Sequence, residues 1–190
     1  LVSNILSASI LATTIGFYIF IYTIWLKRRS VQNIVIGGAA GAFPPVIGWA
    51  IANNSLSIEP IILFLIIFFW TPSHFWSLSL YKSEDYKKAK IPMLPVVSGV
   101  DFTKKNIFAY ALILFPITIL PFYFNFAGLV YLVPTIILGT FYIFLTFKLL
   151  KANNKKDMGK ISKKIFAFSI LYLFLIFTLL LIESFIKFFE

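Results

Sequence analysis

The sequence predicts an all-α, polytopic integral membrane protein: one bundle of six transmembrane helices. Three observations carry that prediction. Of 190 residues, 60% are hydrophobic and 13% charged, whereas an ordinary soluble chain is about 45 to 50% apolar and about 25% charged. Stretches apolar and long enough to cross roughly 30 Å of hydrocarbon, at about 1.5 Å of helix per residue, recur six times. Finally, 16 of the 17 Lys and Arg residues fall in three alternate connections between those stretches.

In order, the spans lie at about 5–26, 34–52, 58–80, 107–124, 127–150 and 165–187. The connection after the first carries Lys27, Arg28 and Arg29. The one after the third carries Lys82, Lys87, Lys88, Lys90, Lys104 and Lys105. The one after the fifth carries Lys148, Lys151, Lys155, Lys156, Lys160, Lys163 and Lys164. Under the positive-inside rule these three face the cytoplasm or its organellar equivalent, so Leu1 and Glu190 are expected on the outer side. The chain opens Leu-Val-Ser-Asn, without an initiator methionine or a signal-peptide pattern, and further segments are expected upstream. With no cysteine, disulfides and thiolate chemistry are excluded. A net charge of +10 confined to connections between spans argues for topology and against nucleic acid.

The second span holds Gly37, Gly38, Gly41 and the pair Pro44–Pro45. The glycines allow close helix contact in a bilayer, and the prolines are expected to kink or break the helix. Whether this only tightens packing or also shapes a cavity stays open. The third span ends WTPSHFWSLSLY and holds the only histidine, His74, about 9 Å inside Leu80 at about 1.5 Å per residue. An ionisable side chain at that depth faces the bundle interior or a wet cavity, for a structural hydrogen bond or for substrate contact. The stretch 81–99, YKSEDYKKAKIPMLPVVSG, is read as a non-helical loop, extended over IPMLPVV because of Pro92 and Pro95. Residues 148–164 are read as a solvated lysine-rich loop, with attraction to anionic lipid as a minor alternative. The last span is plain hydrophobic helix, with Glu183 near its outer end.

Polar groups then converge on the basic side: Tyr22 with Lys27 and Arg28, His74, and Glu84 with Asp85. Cations and carboxylates beside an apolar, aromatic-lined cavity are what a lipid diphosphate requires. Carboxylates hold Mg²⁺, whose shell phosphate and water complete; Lys and Arg neutralise the leaving group; ring faces stabilise an allylic cation. A solvated loop of mutually neutralised charges would look similar in sequence.

Two stretches carry a resemblance. Residues 27–50, KRRSVQNIVIGGAAGAFPPVIGWA, and residues 70–99, with DYxxAxIPMLPVV from Asp85 to Val97, resemble the heme-modifying branch of the UbiA-type intramembrane prenyltransferases. The resemblance implies a nine-helix bundle in which these spans are the fourth to ninth helices. It also implies transfer of the farnesyl group of farnesyl diphosphate to a vinyl group of heme b, for assembly of heme-copper terminal oxidases. By the same resemblance, Lys27 and Arg28 bind diphosphate and Tyr22 lines the site beside it. Asp85 is the metal residue, with Glu84 and Tyr86 as substrate-contacting neighbours, and His74 faces the porphyrin as a candidate iron ligand. Mg²⁺ is the implied cofactor, heme b a substrate, and heme A synthase or an oxidase assembly a partner. A bacterial or mitochondrial inner membrane is the implied location.

The family's first aspartate-rich motif does not occur in this chain, which is therefore expected to be inactive alone. Ala89 stands where a second aspartate often follows Asp85, Lys90 where glycine is common, and Ser73 where proline is. Two other readings remain: a family member acting on an aromatic quinone precursor, and a non-enzymatic transporter subunit.

Overall fold

The computed structural model describes residues 3–189, which form helices and connections with no strand. The expected outer placement of Leu1 and Glu190 lies outside the described residues. Six helical stretches are long and apolar enough to cross a membrane.

The first span is α1 (Ile5–Gly16) continued by a π-helix (Phe17–Leu26). Asn4 caps α1 by accepting from the Ser7 amide at 2.8 Å, and its Nδ2 donates to the Ala50 carbonyl at 2.6 Å, fixing the helix start to the second span. In the π segment the Lys27 amide reaches back to the Tyr22 carbonyl at 2.8 Å, one residue further than an α-helix allows. The second span breaks as its prolines predict, into α2 (Asn33–Ala42) and α3 (Pro44–Asn53). Both prolines sit in the first turn of α3, where a missing N–H costs nothing.

At the centre is α4 (Ile58–Tyr81). It packs against α2 and α3 on one side and, on the other, against α7 (Val100–Ile117) and α10 (Lys155–Phe189), while α9 (Leu129–Lys151) joins α7 to α10. These four helices close around a core that includes Ile66, Trp76, Ile107, Leu114, Tyr142 and Tyr172. Polar pairs fasten it: Ser73 Oγ and the Tyr142 hydroxyl are 2.8 Å apart, and the Tyr131 hydroxyl donates to the Thr118 carbonyl at 2.7 Å. Large apolar side chains such as Ile137 and Phe174 point outward, as lipid contact requires.

Three expectations are corrected. The stretch 81–99 is mostly helical, forming α5 (Ser83–Lys88) and α6 (Leu94–Val97). Glu84 and Asp85 occupy the first turn of α5 and Lys87 and Lys88 its last, the arrangement its dipole favours. Lys90, at φ 53°, ends it, and Pro95 falls in the first turn of α6, where proline is tolerated. Second, the fourth span begins at Val100, seven residues before the apolar run, and closes with a short α8 (Leu120–Tyr123). Lys104 is buried there because its Nζ donates to the Ala152 carbonyl at the end of α9, at 3.0 Å, and pairs with Asp101 at 2.8 Å. Third, the lysine-rich residues 155–164 are the first turns of α10, and only 152–154 are non-helical in that connection.

Glu183, unexplained by the sequence, is buried where α9 begins. Its Oε2 accepts the Tyr131 amide at 3.1 Å, in a turn whose first residue, Gly128, leaves room for the carboxylate. The positive end of α9 makes that position favourable for an anion.

Candidate functional site

Tyr22 projects from the π-helix onto α2, with its ring lying directly over Gly37. Any Cβ at residue 37 would overlap that ring, so the glycine is required by close approach. Gly37→Ala is therefore expected to lower stability by about 1 to 3 kcal/mol. At Gly48 an added methyl meets open space, and Gly48→Ala should change stability by less than about 0.5 kcal/mol. Thermal unfolding in detergent compares the two, and equal midpoints would contradict the wedged position of Tyr22.

Tyr22 helps line a cavity of about 290 Å³ between the π-helix, α2 and α4, together with Tyr18, Asn33, Trp70, Thr71 and Phe75. Trp70 is also a wall of a larger apolar groove, about 460 Å³, running along α10 past Phe174 and Phe177. One indole thus stands between the two hollows. Its Nε1 donates to the Ser169 carbonyl at 2.8 Å, which fixes its plane.

His74 lies one turn beyond Trp70. Its ring is sandwiched between Trp70, at a centroid distance of 4.2 Å, and Phe166, at 4.6 Å, both nearly parallel to it. Nδ1 is 2.7 Å from Ser169 Oγ, and that hydroxyl donates to the Phe166 carbonyl at 2.7 Å. A hydroxyl has one hydrogen. With that hydrogen directed to the Phe166 carbonyl, Nδ1 is the donor in the His74–Ser169 bond. The neutral ring is then the Nδ1–H tautomer, with the lone pair on Nε2, an atom with no hydrogen-bond partner among the described residues. The hydrogen bond to Ser169 is the structural role the sequence offered for His74, and the ring is buried.

Lys27 and Arg28 occupy the exposed turn that follows the π-helix. Among the described residues the ion pairs are Lys82–Asp85 and Lys104–Asp101, so neither cation is neutralised by a carboxylate. The Lys27 carbonyl is held by Asn33, whose Nδ2 donates to it at 3.2 Å.

The α5 residues divide. Tyr86 is near enough to Tyr22 for their phenols to interact electrostatically. Burial, and then the Asp85 carboxylate, push the Tyr86 phenol above its ordinary range, so it stays a hydrogen-bond donor at neutral pH. Asp85 is 64% exposed and pairs with Lys82 at 3.2 Å. Glu84 turns to a separate polar cavity of about 530 Å³, shared with Asp101, Lys104 and Asn154.

No group of three His, Cys, Asp or Glu forms a metal site among the described residues. With Glu84 on the separate cavity, Asp85 alone of the two acids would be left to hold an ion, whose shell water and phosphate oxygens would complete. Of the sequence-derived candidates, then, Tyr22 lines the smaller cavity, Tyr86 lies near Tyr22, and Lys27 is tied through its carbonyl to the lining residue Asn33, with Arg28 next to it in the exposed turn. His74 reaches the cavity through Trp70, and Glu84 faces elsewhere. Asn33, Trp70, Phe166 and Ser169 were not singled out by the sequence. A lone amide opening an apolar helix directly after a cationic turn was the one signal available for Asn33.

Comparison with known proteins matches these features to a family. The model of the UbiA prenyltransferase family matches residues 1–171. The protoheme IX farnesyltransferase of Pelagibacter ubique is 62% identical over 182 residues, covering 96% of this chain and 60% of that protein. Those of Parvibaculum lavamentivorans and Acidiphilium cryptum are 55% and 50% identical, with 57% and 59% of their lengths covered. The chain thus spans about 60% of the length of these relatives. No solved structure matches it. With the family model covering nearly all of a six-span helical chain, the protein belongs to the UbiA prenyltransferase family.

Proposed function

We propose that the protein transfers the farnesyl group of farnesyl diphosphate to a vinyl group of heme b, giving heme O and diphosphate. The observation that carries this reading is the cavity walled by Tyr18, Tyr22, Trp70 and Phe75, whose lining residue Asn33 holds the carbonyl of Lys27 in the exposed cationic turn with Arg28. An apolar chain with a diphosphate head matches cavity and turn. The names of the relatives select farnesyl as the chain and heme as the acceptor, and that choice is what the aromatic-acceptor alternative lacks.

In this mechanism Lys27 and Arg28 bind the diphosphate and stabilise the charge it gains as the C1–O bond breaks and the electron pair leaves with oxygen. Tyr86, kept protonated, donates to the same head group, and Tyr22 closes the apolar side. A divalent ion held at Asp85, with water and phosphate oxygens, would neutralise further charge on the leaving group. The aromatic walls keep water from the allylic carbon until the vinyl π electrons bond to it. Water then adds to the resulting cation next to the porphyrin and loses a proton, which supplies the new hydroxyl. His74 offers Nε2 to the heme iron and so fixes which vinyl edge meets the cavity.

The basic face of the bundle is the cytoplasmic or matrix side of an inner membrane in this proposal, and a heme A synthase or oxidase assembly takes the product. The test is incubation of the full-length protein in membranes with heme b, farnesyl diphosphate and Mg²⁺, followed by mass spectrometry of extracted hemes. A species heavier by one farnesyl group and one hydroxyl supports the proposal. Unmodified heme b alone overturns it.

A further inference from the structure

Five lysines gather where α9 ends and α10 begins. A groove of about 620 Å³ between the two helices is lined by Lys148, Lys151 and Lys164 together with Phe144, Phe147 and Ile161. A second hollow, about 540 Å³, shares Ile161 and Lys164 with it and adds Lys160 and Lys163. All five lysines are exposed.

The positive-inside rule explains why lysines lie at this level of the bundle, but not what these ones face. None of the five pairs with a carboxylate among the described residues, where the ion pairs are Lys82–Asp85 and Lys104–Asp101. The one acid lining either hollow, Asp157, is engaged at the start of α10. Its carboxylate accepts from Asn154 Nδ2 at 2.5 Å, and its amide donates to Asn154 Oδ1 at 2.7 Å. Two ammonium groups stand over ring faces instead, Lys148 over Phe144 at 4.6 Å and Lys151 over Phe147 at 5.5 Å. Such a contact orders a cation without neutralising it. The two rings are themselves 48% and 44% exposed, so apolar surface lies open directly beside the unneutralised charge.

Helix order sets the depth. Lys148 and Lys151 are in the last turn of α9, with Phe144 a turn further into the span, and Lys160, Lys163 and Lys164 precede the apolar run of α10 that begins at Ile165. The groove therefore lies at the membrane surface, cations toward water and rings toward hydrocarbon. A soluble anion would leave the rings uncovered, and a zwitterionic lipid would leave the cations without net counter-charge. A second copy of this chain, with a net charge of +10, would bring more lysine to the same level.

We infer that the α9–α10 groove is a binding site for an anionic phospholipid of the surrounding bilayer. Its phosphodiester is held by Lys148, Lys151 and Lys164, and an acyl chain lies over Phe144, Phe147 and Ile161. Basic hollows between helices at the cytoplasmic surface suit such head groups, and the lysine stems extend the apolar floor while their ends stay in water. The site shares no lining residue with the Tyr22–Trp70 cavity, and it stands whichever substrates that cavity takes.

The test is native mass spectrometry of the full-length protein in detergent with equal amounts of dioleoyl phosphatidylglycerol and dioleoyl phosphatidylcholine. The unmodified protein should retain the anionic lipid at least about 10-fold more, each lysine near an anionic surface contributing about fivefold. The triple variant Lys148→Gln, Lys151→Gln, Lys164→Gln should reduce that preference to about threefold or less. Arginine at the same three positions keeps the charge and should keep the preference, which separates lost charge from lost fold. The comparison variant is Lys88→Gln, Lys105→Gln, Lys156→Gln, three exposed lysines of the basic connections that line neither hollow. It should stay within about twofold of the unmodified protein. Equal losses in the two glutamine variants would assign the effect to overall charge and overturn the inference, and so would loss of the preference in the arginine variant. An unmodified protein that retains both lipids alike would overturn it too, leaving the groove to a protein partner.

Discussion

Replacement of His74 by alanine is expected to reduce heme farnesylation by about 100-fold, or about 2.7 kcal/mol at 1.36 kcal/mol per tenfold. It should also abolish the visible absorbance change expected on addition of heme b to the purified protein. The ring is held on both faces by Trp70 and Phe166 and at Nδ1 by Ser169, which leaves Nε2 as its one available atom. An imidazole so constrained pays little entropy on binding iron. Ser169→Ala frees the tautomer without removing the ligand, and should weaken heme binding by about 10-fold, the usual effect of losing a partner behind a ligating histidine. A spectrum unchanged in His74→Ala would remove His74 from the heme site and leave it a purely structural residue between α4 and α10.

Simultaneous replacement of Lys27 and Arg28 by alanine is expected to lower kcat/KM for farnesyl diphosphate by about 100-fold or more. Hydrogen bonds to charged groups contribute about 1.5 to 3 kcal/mol each, and no carboxylate among the described residues shares these two cations. The effect should shrink for Lys27→Arg, which keeps the charge, and shrink at high ionic strength, because the turn is exposed and screened by salt. Initial rates at varied farnesyl diphosphate, with heme b saturating, read this directly. A double variant within threefold of the unmodified protein would show that the diphosphate binds elsewhere.

The contrast between Asp85 and Tyr86 shows how adjacent letters separate in space. Both lie in the motif that carries the family resemblance, one residue apart. The first turn of α5 leaves Asp85 in solvent with Lys82 and brings Tyr86 toward Tyr22 on another span. Nothing local predicts that division, because it depends on where α5 lands against the π-helix. The π-helix itself has no sequence signature: FYIFIYTIWL would serve equally as α-helix, and its widened turns set which of Tyr18 and Tyr22 meets α2. Lys104 and Glu183 were likewise invisible. Each charge is compensated by the end of α9, contributed by residues about 50 positions distant.

By itself the sequence determined the number of spans, the break at Pro44–Pro45, the gathering of basic residues in alternate connections and the isolation of His74 within an apolar helix. Those properties are sums over consecutive residues, and a bilayer enforces them through length and hydropathy alone. The tertiary structure decided which polar atoms are spent and which are free: Ser169 on Nδ1 of His74, Lys27 on Nδ2 of Asn33, and nothing on Asn33 Oδ1. A hydrogen bond depends on a few tenths of an ångström between groups that in the case of His74 and Ser169 lie 95 residues apart, and no local pattern encodes such a distance.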